Sequence, residues 1–265
     1  MCKCTIRDLP DGSGGRSALD GGHARAARVP QAPALGVSAG FAPPFAGHAA
    51  LCTIRLALHS RAAMKDKTYD RAYFDRWYRD PRHRVRASGE TRRKVAMVVA
   101  LAEYYLGRPI RTVLDIGCGE GVWRAPLLKL RPGLHYLGLD SSEYAVARYG
   151  QSRNLRLARF GDLAELRFER RFDLIVCSDL LHYLRAPELV RGLSGFAELL
   201  EGLAFIELFT SRDPVDGDTA GFLSRSPAWY RQRFAQAGLM ACGSHCYLSP
   251  LLQRSVSELE RAVPA

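Results

Sequence analysis

Val113-Leu114-Asp115-Ile116-Gly117-Cys118-Gly119-Glu120-Gly121 decides how this chain folds. An apolar run enters a glycine-rich turn, and a helical pattern follows it. A second strand-like run, Tyr136-Leu137-Gly138-Leu139-Asp140, again ends on an acid. Glycine has no Cβ and tolerates positive φ, so such a turn lets a ligand approach the backbone. An acid closing the next strand is placed to accept hydrogen bonds from ribose hydroxyls. Together they indicate a nucleoside-type cofactor lying across the carboxyl edge of a parallel sheet.

The glycine spacing narrows the cofactor further. The dinucleotide fingerprint places its third glycine three positions after the second. Here the order is Gly117-x-Gly119-x-Gly121, and position 122 is valine. Asp115 also stands where it would repel a pyrophosphate, and it suits a ligand carrying ammonium and sulfonium charges. These residues resemble motif I of the class I S-adenosylmethionine-dependent methyltransferases. The resemblance implies an α/β, Rossmann-like fold with a mainly parallel, seven-stranded-type sheet covered by helices on both faces. It also implies that S-adenosyl-L-methionine is the cofactor.

The site residues follow from that resemblance, position by position. Asp115 would hold the cofactor's ammonium group. Gly117, Cys118, Gly119 and Gly121 would lie against its methionine and ribose portions, and Asp140 and Ser141 against its ribose and adenine. Gly161, Asp162 and Leu163 follow the third strand, where an acid accepts from the adenine amino group and an apolar neighbour packs on the ring; a plain turn start is the other reading of Asp162. Phe172–Leu184 resembles motif IV, with Ser178 at the strand end where the methyl group emerges. It lacks Asn/Asp-Pro-Pro-Tyr, which disfavours methylation of nucleobase amines or protein glutamine. His182 is a candidate general base because imidazole titrates near neutrality; the competing reading is a packed histidine bonded to backbone. Tyr73, Trp77, Tyr183, Glu207 and Phe209 are candidates for the acceptor pocket, which loops at that sheet edge usually build. Tyr69 is expected on the same helix as Tyr73 and Trp77.

The remaining chain sets the bounds. At 265 residues and 47% hydrophobic, it can bury one substantial core with an appendage. It has no run of eighteen apolar residues, so a membrane span is not expected. Its seven cysteines form no closely spaced framework, which suggests a reduced, cytoplasmic protein. Cys242-x-x-His245-Cys246 superficially suggests zinc, but three ligands this close on one strand cannot all face one ion, so no metal is expected. Net charge is +11, carried by 33 arginines and only 5 lysines, a skew resembling genomic base composition more than selection for phosphate.

Residues 1–63 are rich in Ala, Gly and Pro, with two aromatics, Phe41 and Phe45. They read as a disordered or non-native extension, either an upstream translation artefact or a genuine tail or targeting peptide. A single methyltransferase domain is expected over 64–265, with a helical cap at 64–107 and a Rossmann-like core at 108–265. Strands are expected at Thr112–Ile116, His135–Asp140, Asn154–Arg159, Asp173–Cys177 and Leu203–Leu208, with a sixth candidate at Met240–Leu248. Leu251–Val263 reads as helix, so a seventh, antiparallel strand is not evident. Function is read as methyl transfer to a heteroatom of a small-molecule acceptor. The alternatives are an RNA methyltransferase using the basic stretch Arg76–Lys94, or a non-catalytic cofactor-binding regulator.

Overall fold

A computed structural model describes residues 67–83, 88–215 and 217–260. The reading of 1–63 lies outside the described residues.

The alternating pattern becomes a seven-stranded sheet: β1 (Thr112–Ile116), β2 (His135–Asp140), β3 (Leu155–Leu157), β4 (Phe172–Ser178), β5 (Leu200–Glu207), β6 (Met240–Gly243) and β7 (Cys246–Leu248), in the order β3-β2-β1-β4-β5-β7-β6. Strands β1 to β5 pair in parallel. Their near-continuous apolar sequences are what a sheet buried on both faces requires. Consecutive side chains of β1 enter opposite cores. Leu114 and Ile116 pack with Leu163, Leu181, Leu189 and Phe196 on one face. Val113 packs with Val95, Val98, Trp123 and Leu127 on the other. Helices α2 (Ser88–Leu106), α3 (Arg124–Leu130), α4 (Glu143–Arg153), α5 (Ala186–Ser194), α6 (Phe196–Leu199) and α7 (Pro227–Gln236) supply the covering layers.

The far edge of the sheet differs from expectation. Met240–Leu248 is a hairpin, and its second arm, β7, is the seventh strand, antiparallel to β5. Gly243, Ser244 and His245 take positive φ in succession (92°, 50° and 62°), which reverses the chain inside what reads as one apolar run. Leu251–Val263 is not a helix. It forms short 3₁₀ turns at Leu252–Ser255 and Glu258–Glu260, divided by extended backbone at Val256; residues beyond 260 lie outside the described residues.

Opposite the functional edge, Asp173 fastens β1 to β4. Its carboxylate accepts from Arg108 Nη1 (3.0 Å) and Nη2 (2.7 Å) and from the Arg111 (2.6 Å) and Thr112 (3.3 Å) backbone N–H groups. The Asp173 N–H in turn donates to Thr112 Oγ1 (2.9 Å).

The segment preceding α2 closes over the functional edge. Asp70 caps α1 (Arg71–Phe74) by accepting the Tyr73 N–H at 3.0 Å. The helix then widens into a π-turn over Asp75–Arg79. Ser142 Oγ donates to the Tyr69 carbonyl (2.6 Å), tying this segment to the end of β2.

Candidate functional site

The site begins where β1 and β2 end side by side. Gly117 N–H (2.8 Å) and Cys118 N–H (3.1 Å) both donate to the Leu139 carbonyl. Gly119 N–H donates to Asp140 Oδ2 (2.7 Å), so the turn after β1 is tied to the last residues of β2. Gly117 and Gly119 sit at φ +68° and +55°, and a Cβ at Gly119 would stand 2.2 Å from the Tyr78 hydroxyl. Both positions therefore favour glycine on backbone grounds, and Gly119 on grounds of space as well.

Two acids flank this turn. Asp115 is 2% exposed and its Oδ2 accepts the Tyr136 hydroxyl at 2.7 Å. Asp140 Oδ1 accepts the Ser142 N–H at 2.8 Å. Burial drives the Asp140 carboxyl above the usual carboxylate range, against the opposing pull of the Ser142, Gly119 and Ser141 backbone N–H groups. Burial likewise pushes the Cys118 thiol far up, so it stays protonated and is not a nucleophile.

A cavity of about 650 Å³ opens over the turn, within the range of roughly 300–1,000 Å³ common for small-ligand sites. Its floor is Asp115, Gly117, Cys118, Gly119, Asp140 and Ser141. Ser178, Asp179 and Tyr183 bound it after β4, and Tyr73, Phe74, Trp77 and Tyr78 roof it. Among the described lining residues, Asp115, Asp140, Asp179, Glu188 and Asp218 face only two cationic side chains, Arg92 and Lys129. The cavity thus favours a ligand with positive charge.

Several expected residues stand off the cavity wall. Gly121 packs near Leu155 instead. Asp162 closes the 3₁₀ turn Phe160–Ala164, with Oδ2 accepting the Arg159 N–H at 2.8 Å. Gly161 is buried against Glu188 of α5, and Leu163 lies in the core. Ala158 and Phe160 supply the wall there. Glu207 is held by Lys94 Nζ (2.5 Å) and by the Ser178 hydroxyl (2.7 Å), so it orients Ser178 from behind. Phe209 packs on the His182 ring, with centroids 5.6 Å apart.

The structure sets His182 behind the cavity wall. It is fully buried and does not line the cavity. Its Nδ1 accepts the Phe209 N–H at 3.4 Å, which leaves the ring proton on Nε2, 3.4 Å from Asp179 Oδ1. Burial holds the imidazole below its usual range, outweighing the opposite pull of Asp179, so it is neutral at pH 7. The ring packs against Tyr183, Phe209 and Phe222, and the His182 carbonyl accepts the Leu223 N–H (2.8 Å). Replacing His182 with alanine should cost roughly 1–3 kcal/mol of stability, from an orphaned N–H and lost packing. The pH–rate profile should keep its shape. Denaturant unfolding and a pH series on the variant check both; loss of an ionisation from the profile would restore the base.

Sequence reasoning missed Asp179 and Asp218. Asp179 adopts φ +63° at the end of β4 and projects into the cavity, a strained backbone for a residue with a side chain. Its place directly after Ser178 was the available signal. Asp218 lies in the loop after β5, among several acids, and no spacing distinguishes it.

Residues 114–202 match the family model described as a methyltransferase domain. Over 79 residues the chain is 40% identical to the trans-aconitate 2-methyltransferase of Deinococcus radiodurans; this stretch is 29% of this chain and 30% of that protein, so the chain spans under a third of that curated relative. Among solved structures, DesVI of Streptomyces venezuelae is 16% identical with a TM-score of 0.47, over 60% of this chain and 91% of that one. The sugar N-methyltransferase KedS8 from Streptoalloteichus is 18% identical with a TM-score of 0.49, over 63% and 90%. At these identities the structural likeness is one of outline.

Proposed function

We propose, from the premise that this chain carries a class I S-adenosylmethionine-dependent methyltransferase domain, that it transfers a methyl group from that cofactor to a heteroatom of a small-molecule acceptor. One observation carries the reading: the glycine turn and Asp140 meet on the floor of a largely apolar and aromatic cavity whose charged lining residues are mostly acids. The cofactor fits these residues. Its sulfonium and ammonium match the acids of the lining, and Gly117 and Gly119 leave the backbone of the turn bare where any Cβ would run into Leu180 or Tyr78.

When bound, the cofactor supplies an activated methyl group on a positively charged sulfur. The chain's own residues have four tasks. Asp140, already fixed by the Gly119 and Ser142 N–H groups, keeps further lone pairs for ribose hydroxyls. Asp115, oriented by the Tyr136 hydroxyl, would place negative charge against the cofactor's ammonium. The aromatic roof of Tyr73, Phe74, Trp77 and Tyr78 excludes water, so that acceptor and methyl group meet in line. Asp179, with the His182 ring behind it, orients the acceptor at the end of β4. No strong base is required for a donor this activated.

A small-molecule acceptor is favoured over RNA. Arg79 and Lys94 of the basic stretch are engaged within the chain, by Asp75 and Glu120 and by Glu90 and Glu207. Acidic cavity walls also repel a polyanion. Incubation with methyl-labelled cofactor and fractionated small-molecule, RNA and protein pools tests the reading. Label should enter the small-molecule pool. Label confined to RNA or protein would contradict it, and no transfer despite cofactor binding would favour a regulator.

A further inference from the structure

Lys67 occupies an unusual place. Its ammonium lies 3.7 Å from the Tyr183 ring centroid and 5.3 Å from those of Tyr69 and Tyr73. Asp218 Oδ2 is 2.5 Å away, and the two side chains are only 17% and 12% exposed. The Tyr183 hydroxyl donates to the Asp218 carbonyl (2.6 Å), fixing ring and acid together. Tyr69 and Tyr73 meet edge to face at 5.0 Å. Burial and then the neighbouring acids push the Tyr69 phenol up to about 12, so its ring stays neutral. Three aromatic faces within about 6 Å of one cation, closed by a carboxylate, are the elements of an ammonium cage.

The cage also belongs to the main cavity. Tyr69, Tyr73, Tyr183 and Asp218 all line it, beside Asp179. Lys67 does not line it. Lys67 enters from a second, shallower depression that shares Tyr73 and Asp218 with the first. A lysine that only needs to pair with one carboxylate does not require three tyrosines around its ammonium.

We propose that the acceptor is an amine, and that Tyr69, Tyr73, Tyr183 and Asp218 form the cage that receives its nitrogen, with Lys67 filling that cage in the acceptor's place. This rests on the methyltransferase reading above. The acceptor loses one proton to water and reacts as the free amine. Its lone pair attacks the methyl carbon and displaces the neutral thioether, so positive charge passes from sulfur to nitrogen; the resulting ammonium releases a second proton to water. Ring faces and a carboxylate attract the charged nitrogen more strongly than the neutral one. The cage therefore favours the transition state over the bound free amine. Lys67, on a flexible stem, withdraws toward the second depression as the acceptor enters.

Two arms test this on the full chain. In the first, demethylated cofactor is measured with equal concentrations of primary alkylamines, carboxylates and alcohols. Turnover should be confined to amines and rise with pH as the free base grows. Tyr183→Leu and Asp218→Asn should each lower kcat/KM for the amine at least tenfold, well beyond any change in cofactor affinity. In the second arm, calorimetry with tetramethylammonium compares the wild type with Lys67→Met, which keeps the stem and removes the charge. The variant should bind at least tenfold more tightly, and Lys67→Gln gives the same comparison if the methionine variant misfolds. Turnover on carboxylates or alcohols alone, or no gain in tetramethylammonium binding, overturns the proposal. Cofactor binding measured alongside separates the two readings: if it is present while amines fail, only the amine proposal falls.

Discussion

Replacing Asp173 with alanine is expected to lower stability by about 3 kcal/mol. The Arg111 and Thr112 N–H groups would lose their buried acceptor, at roughly 1–3 kcal/mol each. Arg108 would keep a partner in Glu201 (3.0 Å), which limits the loss. In a domain of this size the change corresponds to a melting temperature lower by roughly 6–12 °C. The effect also has a pH signature. Burial alone would raise the Asp173 carboxyl, but the hydrogen bond from Arg108 and those from Arg111 and Thr112 outweigh it and hold it low. A carboxyl depressed in the fold contributes stability above its unfolded pKa, about 3.9, and loses that contribution as pH falls through the folded value. The gap between wild type and Asp173→Ala should therefore be full at neutral pH and close in acid. Thermal unfolding from neutral to acidic pH reads both; a pH-independent gap would mean the carboxylate's charge plays no part.

The second large effect concerns Asp140. Asp140→Ala should weaken cofactor binding by about 2–3 kcal/mol, roughly 30- to 150-fold, because charge-assisted hydrogen bonds to the ribose would go and the Gly119 N–H would lose its acceptor. Wild-type affinity should also respond to pH. Burial raises the Asp140 carboxyl, opposed by the Ser142 and Gly119 N–H groups. Acceptance from hydroxyls needs the ionised form, so affinity should fall in acid at a higher pH than an ordinary aspartate would give. Affinity unchanged in Asp140→Ala would remove the ribose role from this residue.

The central sheet was legible because its strands are buried on both faces and read as continuous apolar runs between glycine turns. Asp115, Gly117, Gly119 and Asp140 were legible for the same reason: each stands at or just beyond a strand end, where the pattern fixes its position. The β6–β7 hairpin was not, since three consecutive residues at positive φ leave little trace when the run keeps its apolar residues. Asp162 could be read in sequence as a cofactor contact or as a turn start; in the structure its Oδ2 accepts the Arg159 N–H. That His182 is buried behind the wall was not legible, because sequence places it near the strand end without showing which way the ring points. The cage around Lys67 joins residues 67, 69, 73, 183 and 218, and such long-range convergence has no local pattern to announce it.

The central claim is that the turn at Gly117–Gly119 and the acid Asp140 hold S-adenosylmethionine. Isothermal titration of the full chain with S-adenosylmethionine, S-adenosylhomocysteine and NAD tests this most directly. The account predicts saturable one-to-one binding of both sulfur compounds and none of NAD, whose pyrophosphate the acid Asp115 repels. Equal affinity for NAD, or no heat with either sulfur compound, would contradict it.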